Sequence, residues 1–250
     1  PNMQNISKRD KLVKKVVRSC FKPSPGNCIA ECDLRGAEVF TSACVHRDPN
    51  FLDYVRDWQN KDMHRDIAKD MYFRTDAHYQ DKKLAKSERQ NVKGPFTFAC
   101  LYGMSGPDIA DNCWYSILPE TLAHLESIGK GSKEQFTSHI CGIYNDFWEN
   151  RFAVYGEWKQ TTWKEFRKRG YVDGPTGFRI HAPASYNQLT NSPIQGPAFH
   201  VALFLINRIG RKLKKLTNGR SRMIGQIHDS QIYDMHPDDK PLLFQLYKEA

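Results

Sequence analysis

No apolar run in this sequence approaches the ~20 residues that a helix needs to cross a bilayer. Nor does the polar N-terminus carry the charged-then-apolar pattern of a signal peptide. These absences lead us to expect a cytoplasmic protein with no membrane partner. The chain opens on Pro1 instead of Met and stops inside a helical pattern at residues 240–250, so both ends are expected to be cut from a longer chain. No internal repeat or low-complexity segment is present, which argues against solenoids and flexible tethers. Paired cysteines are missing too. The seven present, Cys20, Cys28, Cys32, Cys44, Cys100, Cys113 and Cys141, are odd in number, and several sit in apolar runs. That pattern fits reduced, buried thiols and not a disulfide framework. Cys28, Cys32, Cys44 and His46 could be imagined around zinc, but their spacing matches no familiar finger or ribbon. Acid is comparatively scarce: 28 Asp and Glu against 37 Lys and Arg give a net charge of +9 and a pI near 9.2. Such a balance fits a polyanionic partner, most simply nucleic acid. Taken alone it fits a merely basic soluble protein as well.

What remains is sufficient for a folded domain or two. Hydrophobic residues make up 40 % of 250, enough for a core. Residues 8–21 could be helix or strand, and Pro23-Ser24-Pro25-Gly26 is a turn. Residues 28–34 read as a strand entering the core and ending at Asp33. Helices are expected over 38–45, 51–58 and 62–73, the last with an acidic start. Residues 77–86 are polar and expected to be exposed. Residues 88–104 are helical in outline, but Gly94-Pro95 falls inside, where proline removes a hydrogen bond and clashes with the preceding turn, so a kink or bulge is expected. Residues 107–166 read as several helices whose aromatics, Trp114, Tyr115, Tyr144, Phe147, Trp148, Phe152, Tyr155, Trp158 and Trp163, are expected in the core. A strand and turn follow at 170–180, and then a strong helix at 197–216.

Three local patterns suggest chemistry. In residues 224–233 two runs with alternating apolar residues flank His228-Asp229-Ser230, which predicts a β-hairpin with its polar residues at the tight end. An Asp held there suits a metal ligand or an ordinary Asx-turn. In Glu31-Cys32-Asp33-Leu34-Arg35-Gly36-Ala37-Glu38, Asp33 closes a strand and Glu38 opens a helix. In residues 89–103, Arg89 and Lys93 are four apart and share one helix face. That pair could clamp a polyphosphate, or be a solvated face.

The order of these patterns resembles motifs A, B and C of family A DNA polymerases: a carboxylate on a strand, a basic helix ending in Tyr102-Gly103, then an Asp on a hairpin. The resemblance covers essentially the whole chain. Residues 1–6, Asp48 with Asp62-Met63-His64 and Ala68, Gly170-Tyr171-Val172, and Asn191-Ser192-Pro193-Ile194-Gln195-Gly196 are similar to further family segments in the same order. Two departures are present. Motif B has one extra residue at Gly94-Pro95, and motif C reads His-Asp-Ser where His-Asp-Glu is usual. Both resemble a phage-like branch.

The resemblance implies an α+β fold, with an antiparallel palm sheet, inserted helical fingers and no thumb. The palm would comprise 1–61 and 170–250, and the fingers 62–169. It implies template-directed DNA synthesis with two Mg²⁺ ions (Mn²⁺ is possible), with primer-template DNA and dNTPs as partners, in a bacterial or phage-infected cytoplasm. Asp33, Asp229 and the Leu34 carbonyl would hold metal. Arg89, Lys93 and His64 would meet the triphosphate, Phe98 and Tyr102 would line the nucleotide pocket, and Glu38 would exclude a 2′-OH. Gln4, Asn5, Asn191, Gln195 and His228 would contact primer or template. Ser230 is removed as a metal-binding carboxylate, and the phosphate contact of Lys93 depends on how the extra residue is accommodated. Two rivals are a single-subunit RNA polymerase, which Glu38 argues against, and a non-catalytic nucleic-acid-binding relic, which the retention of Asp33 and Asp229 argues against.

Overall fold

Alternation over residues 28–33 and 222–235, and helical periodicity almost everywhere else, give a mostly helical α+β chain with two small antiparallel sheets. The computed structural model describes residues 11–34, 36–80 and 82–250. Two compact units emerge: Pro1–Thr41 with Gln195–Ala250, and Ser42–Ile194. Gln4 and Asn5 lie outside the described residues.

Among its described residues the first unit begins with α1 (Lys11–Val16), so the helical alternative holds for that part of the stretch. Strand β1 (Cys28–Asp33) follows, then α2 (Ala37–His46), which leads into the second unit. The second unit runs through α3 (Pro49–Arg56), α4 (Met63–Tyr72), α5 (Lys82–Val92), a π-helical turn at Lys93–Phe98 and α6 (Ala99–Leu101). It continues with α7 (Gly106–Tyr115), α8 (Pro119–Ser127), α9 (Lys133–Asp146), a second π-turn at Phe147–Arg151 and α10 (Ala153–Arg169). Strands β2 (Tyr171–Asp173) and β3 (Arg179–His181) pair as a hairpin. Helix α11 (Tyr186–Leu216) returns to the first unit, which closes with β4 (Arg222–Ile227), β5 (Ser230–Met235) and α12 (Lys240–Lys248). Among the described residues no helix is long and apolar enough to cross a membrane.

The first unit is built on a sheet of order β1-β5-β4. Successive strand side chains face opposite ways. Tyr233 and Met235 therefore share a face with Ala30 and Cys32, and that face packs on Ile209 and Leu213 of α11 and on Leu243 and Leu246 of α12. The other face of β1 is solvated: Ile29 is 40 % exposed, and Glu31 and Asp33 are exposed. The expectation of a buried strand at 28–34 is thus corrected. β1 pairs on one side only among the described residues, and one of its faces is wet. Its start is pinned by buried Asp234, which accepts from the Ser24 amide (3.1 Å), the Ser24 hydroxyl (2.5 Å) and the Asn27 amide group (3.0 Å).

Capping residues set the helix starts of the second unit. Asp48, Asp62, Ser105 and Ser132 each accept from a backbone N–H one turn on. Asp48 also accepts from the Tyr155 amide (3.1 Å) and so ties α3 to α10. Phe51, Ile67, Met71, Phe96, Ile109, Leu125, Phe136, Phe147, Phe152 and Tyr155 are fully buried. Glu88 is a buried hub: it accepts from Arg74 (3.0 Å), His78 (2.9 Å), Tyr79 (3.2 Å) and Thr121 (2.8 Å).

Other expectations need correction. Residues 77–86 are not exposed throughout: His78 and Tyr79 turn inward to Glu88, and Ala85, in α5, is buried. Tyr115 lies outside the core at 78 % exposure. Helix α11 starts well before residue 197 and runs through Pro193 and Pro197; each forfeits an intrahelical bond, offset by burial of Ile194 and Ala198 beside them. All seven cysteines are free, but only Cys100 and Cys113 are buried. His46 is not placed to bind zinc: the Asp48 amide donates to its Nδ1 (3.0 Å) and its Nε2 donates to Ser42 (2.9 Å). Its ring stacks on Tyr155 at 3.9 Å, and burial holds its pKa down to about 3.

Candidate active site

Strand register brings the two proposed acidic ligands together. β4 and β5 are joined by His228 and Asp229 alone, with Ile227 opposite Ser230. A two-residue hairpin loop needs positive φ, and His228 supplies it at 55°, a region histidine tolerates better than most residues. The Gln226 side chain donates to the His228 carbonyl (2.7 Å). Towards its start, β4 bulges between Met223 and Gly225, the usual place for a strand glycine.

On the other side β5 pairs with β1, which places Asp33 opposite Ser230. Asp229, next to Ser230 in the chain, therefore lies near enough to Asp33 for the two carboxyl groups to influence one another. Burial raises the Asp229 pKa first, and the nearby Asp33 charge raises it further; its own backbone N–H and His228 partly offset this. Ser230 donates to Asp33 Oδ1 at 2.9 Å. Sequence reading had only removed Ser230 as a ligand. It missed that a short hydroxyl, sitting opposite a carboxylate in the register, would orient it. Leu34 follows Asp33 directly, and Glu38 is half-buried in the first turn of α2.

Two carboxyl groups brought near one another by the register, with a main-chain carbonyl close in sequence, are a set of hard oxygen donors. Such a set fits Mg²⁺, which takes one or two protein carboxylates and completes its shell with water and phosphate. Among the described residues no group of three or more His, Cys, Asp or Glu is arranged to hold a metal.

A separate cluster forms in the second unit around residues 89–103. Asp62 caps α4 through the His64 (3.1 Å) and Arg65 (3.3 Å) amides and pairs with the Arg89 guanidinium. Burial works against ionisation of Asp62, yet Arg89 and the helix-start amide outweigh it and hold the carboxyl below its usual range. The Asp62–Arg89 pair was not legible locally, since the partners are 27 positions apart. Lys93 Nζ lies 5.6 Å from the centre of the Phe98 ring, Phe98 stacks on Tyr102 at 5.9 Å, and His64 approaches Phe98 at 6.1 Å. His64 is buried beside Thr97 (3.2 Å); burial first, then the Arg89 charge, holds its pKa down to about 4. It is therefore neutral at pH 7 and could offer a phosphate a hydrogen bond but no charge.

Residues Lys93–Phe98 form a π-turn, which accommodates one residue more than an α-helical turn. In an α-helix an inserted residue rotates everything beyond it by about 100°. A single i→i+5 turn takes up the residue and restores the phase. Lys93 and Phe98, five apart, consequently lie on one face. The expected bulge at Gly94-Pro95 is present, in this form. Gly103 has φ 83°, and a Cβ there would meet Asn187 Oδ1 at 2.1 Å, so only glycine fits. Asn191 donates to the Tyr102 carbonyl (3.4 Å), while Gln195, one turn on in α11, is exposed, as is His228.

The chain is 25 % identical over 236 residues to DNA polymerase I of Aquifex aeolicus (strain VF5), covering 94 % of this chain and 36 % of that protein. It is 23 % identical over 264 residues to thermostable DNA polymerase I of Thermus thermophilus, covering 100 % of this chain and 27 % of that one. It thus spans roughly a third or less of these relatives' length. Its fold is similar to that of the POL domain of Pol1 from M. smegmatis, solved in complex with DNA primer-template and dNTP. The TM-score is 0.71 and the identity 21 %, over 100 % of this chain and 41 % of that one. The family model for DNA polymerase family A matches residues 1–250, the entire chain, and the chain belongs to that family.

Proposed function

We propose that this chain is the palm-and-fingers portion of a template-directed DNA polymerase of the phage-like branch, adding deoxynucleotides from dNTPs to a primer 3′-OH and releasing pyrophosphate. The palm would be 1–61 with 170–250. The fingers would be 62–169, which falls inside the second compact unit. The observation that carries the reading is the meeting of Asp33 and Asp229 through the β1–β5 register and the two-residue hairpin. Family membership over the whole chain supports it.

In this reading Asp33, Asp229 and the Leu34 carbonyl hold two divalent cations, Mg²⁺ or Mn²⁺. When bound, such a pair stabilises both the attacking and the leaving oxygen of an in-line displacement. The protein's own part is positioning and charge, which dominate phosphoryl-transfer catalysis. Ser230 fixes the rotamer of Asp33. Arg89 offers a forked guanidinium, and Lys93 a point charge, to a triphosphate. His64 adds a neutral N–H. Phe98 and Tyr102 present stacked ring faces to a base, and Glu38 discriminates against a ribose 2′-OH. Gln4, Asn5, Asn191, Gln195 and His228 are assigned to primer and template, where polar side chains can meet minor-groove acceptors common to every base pair.

Primer extension on a defined template tests this. Asp33→Ala and Asp229→Ala should each lower extension by roughly a thousandfold or more, the scale of losing a catalytic group, while DNA binding survives. dNTPs should be used in preference to rNTPs. Undiminished extension in both variants would refute the site. DNA binding without extension by the native chain would leave a non-catalytic binding module.

A further inference from the structure

The second unit contains a cavity of ≈ 380 Å³ that the proposed chemistry does not use. Its wall includes Cys100 and Gly103, on either side of Tyr102, together with Tyr144, Trp148, Lys159 and Tyr186. Lys159 is only 3 % exposed. Its ammonium donates to the Leu101 carbonyl at 3.2 Å and lies 4.6 Å from the Trp148 ring centre and 5.6 Å from that of Tyr155. Glu149 stands at the same cavity but is exposed and forms no ion pair with Lys159. Among the described residues, Lys159 has ring faces, the Leu101 carbonyl and the Cys100 thiol near it, and forms no ion pair with a carboxylate.

That arrangement is unusual. A buried charge is normally paired, because its desolvation is otherwise uncompensated. An ammonium has three N–H donors, and Leu101 occupies one. Burial lowers the pKa of Lys159 to about 8, which still leaves it mainly cationic at neutral pH. The cavity is at the lower end of the size range for small-molecule sites, and its wall combines aromatic rings with the Lys159 ammonium and the polar side chains of Asn145, Glu149 and Gln160. A phosphate dianion accepts more hydrogen bonds than the two donors left on Lys159 can supply. A carboxylate needs fewer, and a flat ring attached to it would meet Tyr144, Trp148 and Tyr186 in stacked or edge contact.

We propose that this cavity binds small planar aromatic carboxylates, with the carboxylate on Lys159 and the ring among Tyr144, Trp148 and Tyr186. Nothing in the polymerase reading requires such a site, and binding can be read without primer extension, so the two can fail separately.

The probe is 4-(trifluoromethyl)benzoate, titrated against the native chain by ¹⁹F NMR, with the neutral 4-(trifluoromethyl)benzamide as control. A charge-assisted hydrogen bond in place of a neutral one predicts binding of the benzoate about tenfold tighter than of the benzamide. Lys159→Met should fold, since it exchanges a buried charge for an apolar chain of similar length, and should lose about the same tenfold. Tyr186→Ala keeps the cation and removes a wall, and should weaken the benzoate by about fivefold or more. Equal affinity for benzoate and benzamide would overturn the proposal. So would undiminished benzoate binding by a folded Lys159→Met chain or by Tyr186→Ala. Displacement of the benzoate by inorganic phosphate at equal concentration would overturn the aromatic specificity.

Discussion

Ser230 follows Asp229 directly, and its hydroxyl holds Asp33 by a hydrogen bond of 2.9 Å. Ser230→Ala should therefore leave the fold in place at a cost of about 1 kcal/mol. With Asp33 freed to rotate, turnover should fall about tenfold with little change in dNTP affinity, since a positioning error registers mainly in the chemical step. Steady-state extension, separating kcat from KM, checks this; an unchanged kcat would remove Ser230 from the site. Histidines give the second residue-scale expectation. His46 and His64 are buried neutral, with pKa values of about 3 and about 4, against an unfolded value near 6.5. Below pH 6.5 the unfolded chain binds protons that the folded chain refuses, so stability is complete above that pH and falls as the pH drops towards 4 and then 3. Each ring contributes a slope of up to about 1.4 kcal/mol per pH unit. Urea midpoints between pH 7 and pH 4.5 should decline accordingly. A His46→Phe chain with an undiminished slope would show that this ring is not responsible.

At the scale of elements, the π-turn between α5 and α6 makes a register argument testable. Deleting Gly94 should convert it to an ordinary α-helical turn and keep Phe98 and Tyr102 in phase, with extension within about threefold of native. Inserting an alanine after Gly94 should rotate them by about 100° and abolish extension. If deletion and insertion were equally damaging, phase would not be what matters. The same helix shows what could be read from sequence. Gly94-Pro95 announced a defect, because proline's missing N–H is a local property. The hairpin at 222–235 was equally legible, since alternation is local and its turn residues are adjacent. The start of α5, the inward turn of His78 and Tyr79, and the Asp62–Arg89 pair were not, because each depends on partners 9 to 27 positions away. The solvated face of β1 was missed for a related reason: an apolar strand looks the same whether one face or both are covered. The buried ammonium of Lys159 left no trace in sequence, where its helix reads as ordinary amphipathic pattern.

For the molecule as a whole, the two units differ in how they are drawn from the chain. Ser42–Ile194 is one continuous stretch, whereas the other unit is assembled from both ends. Asp33 and Ser230, opposite one another in the sheet, are 197 positions apart. Contacts between distant positions form late, because loop-closure entropy must be overcome before they contribute. During synthesis, β1 leaves the ribosome long before β5 exists. For that interval Cys28 and Ile29 belong to an unpaired strand edge, the kind of segment that invites pairing with other chains. Refolding with pulse-labelled hydrogen exchange should find the amides of α7 and α9 protected before those of β1, and simultaneous protection would contradict this order. The register that places the two acids side by side thus also makes them one of the last parts of the protein to be completed.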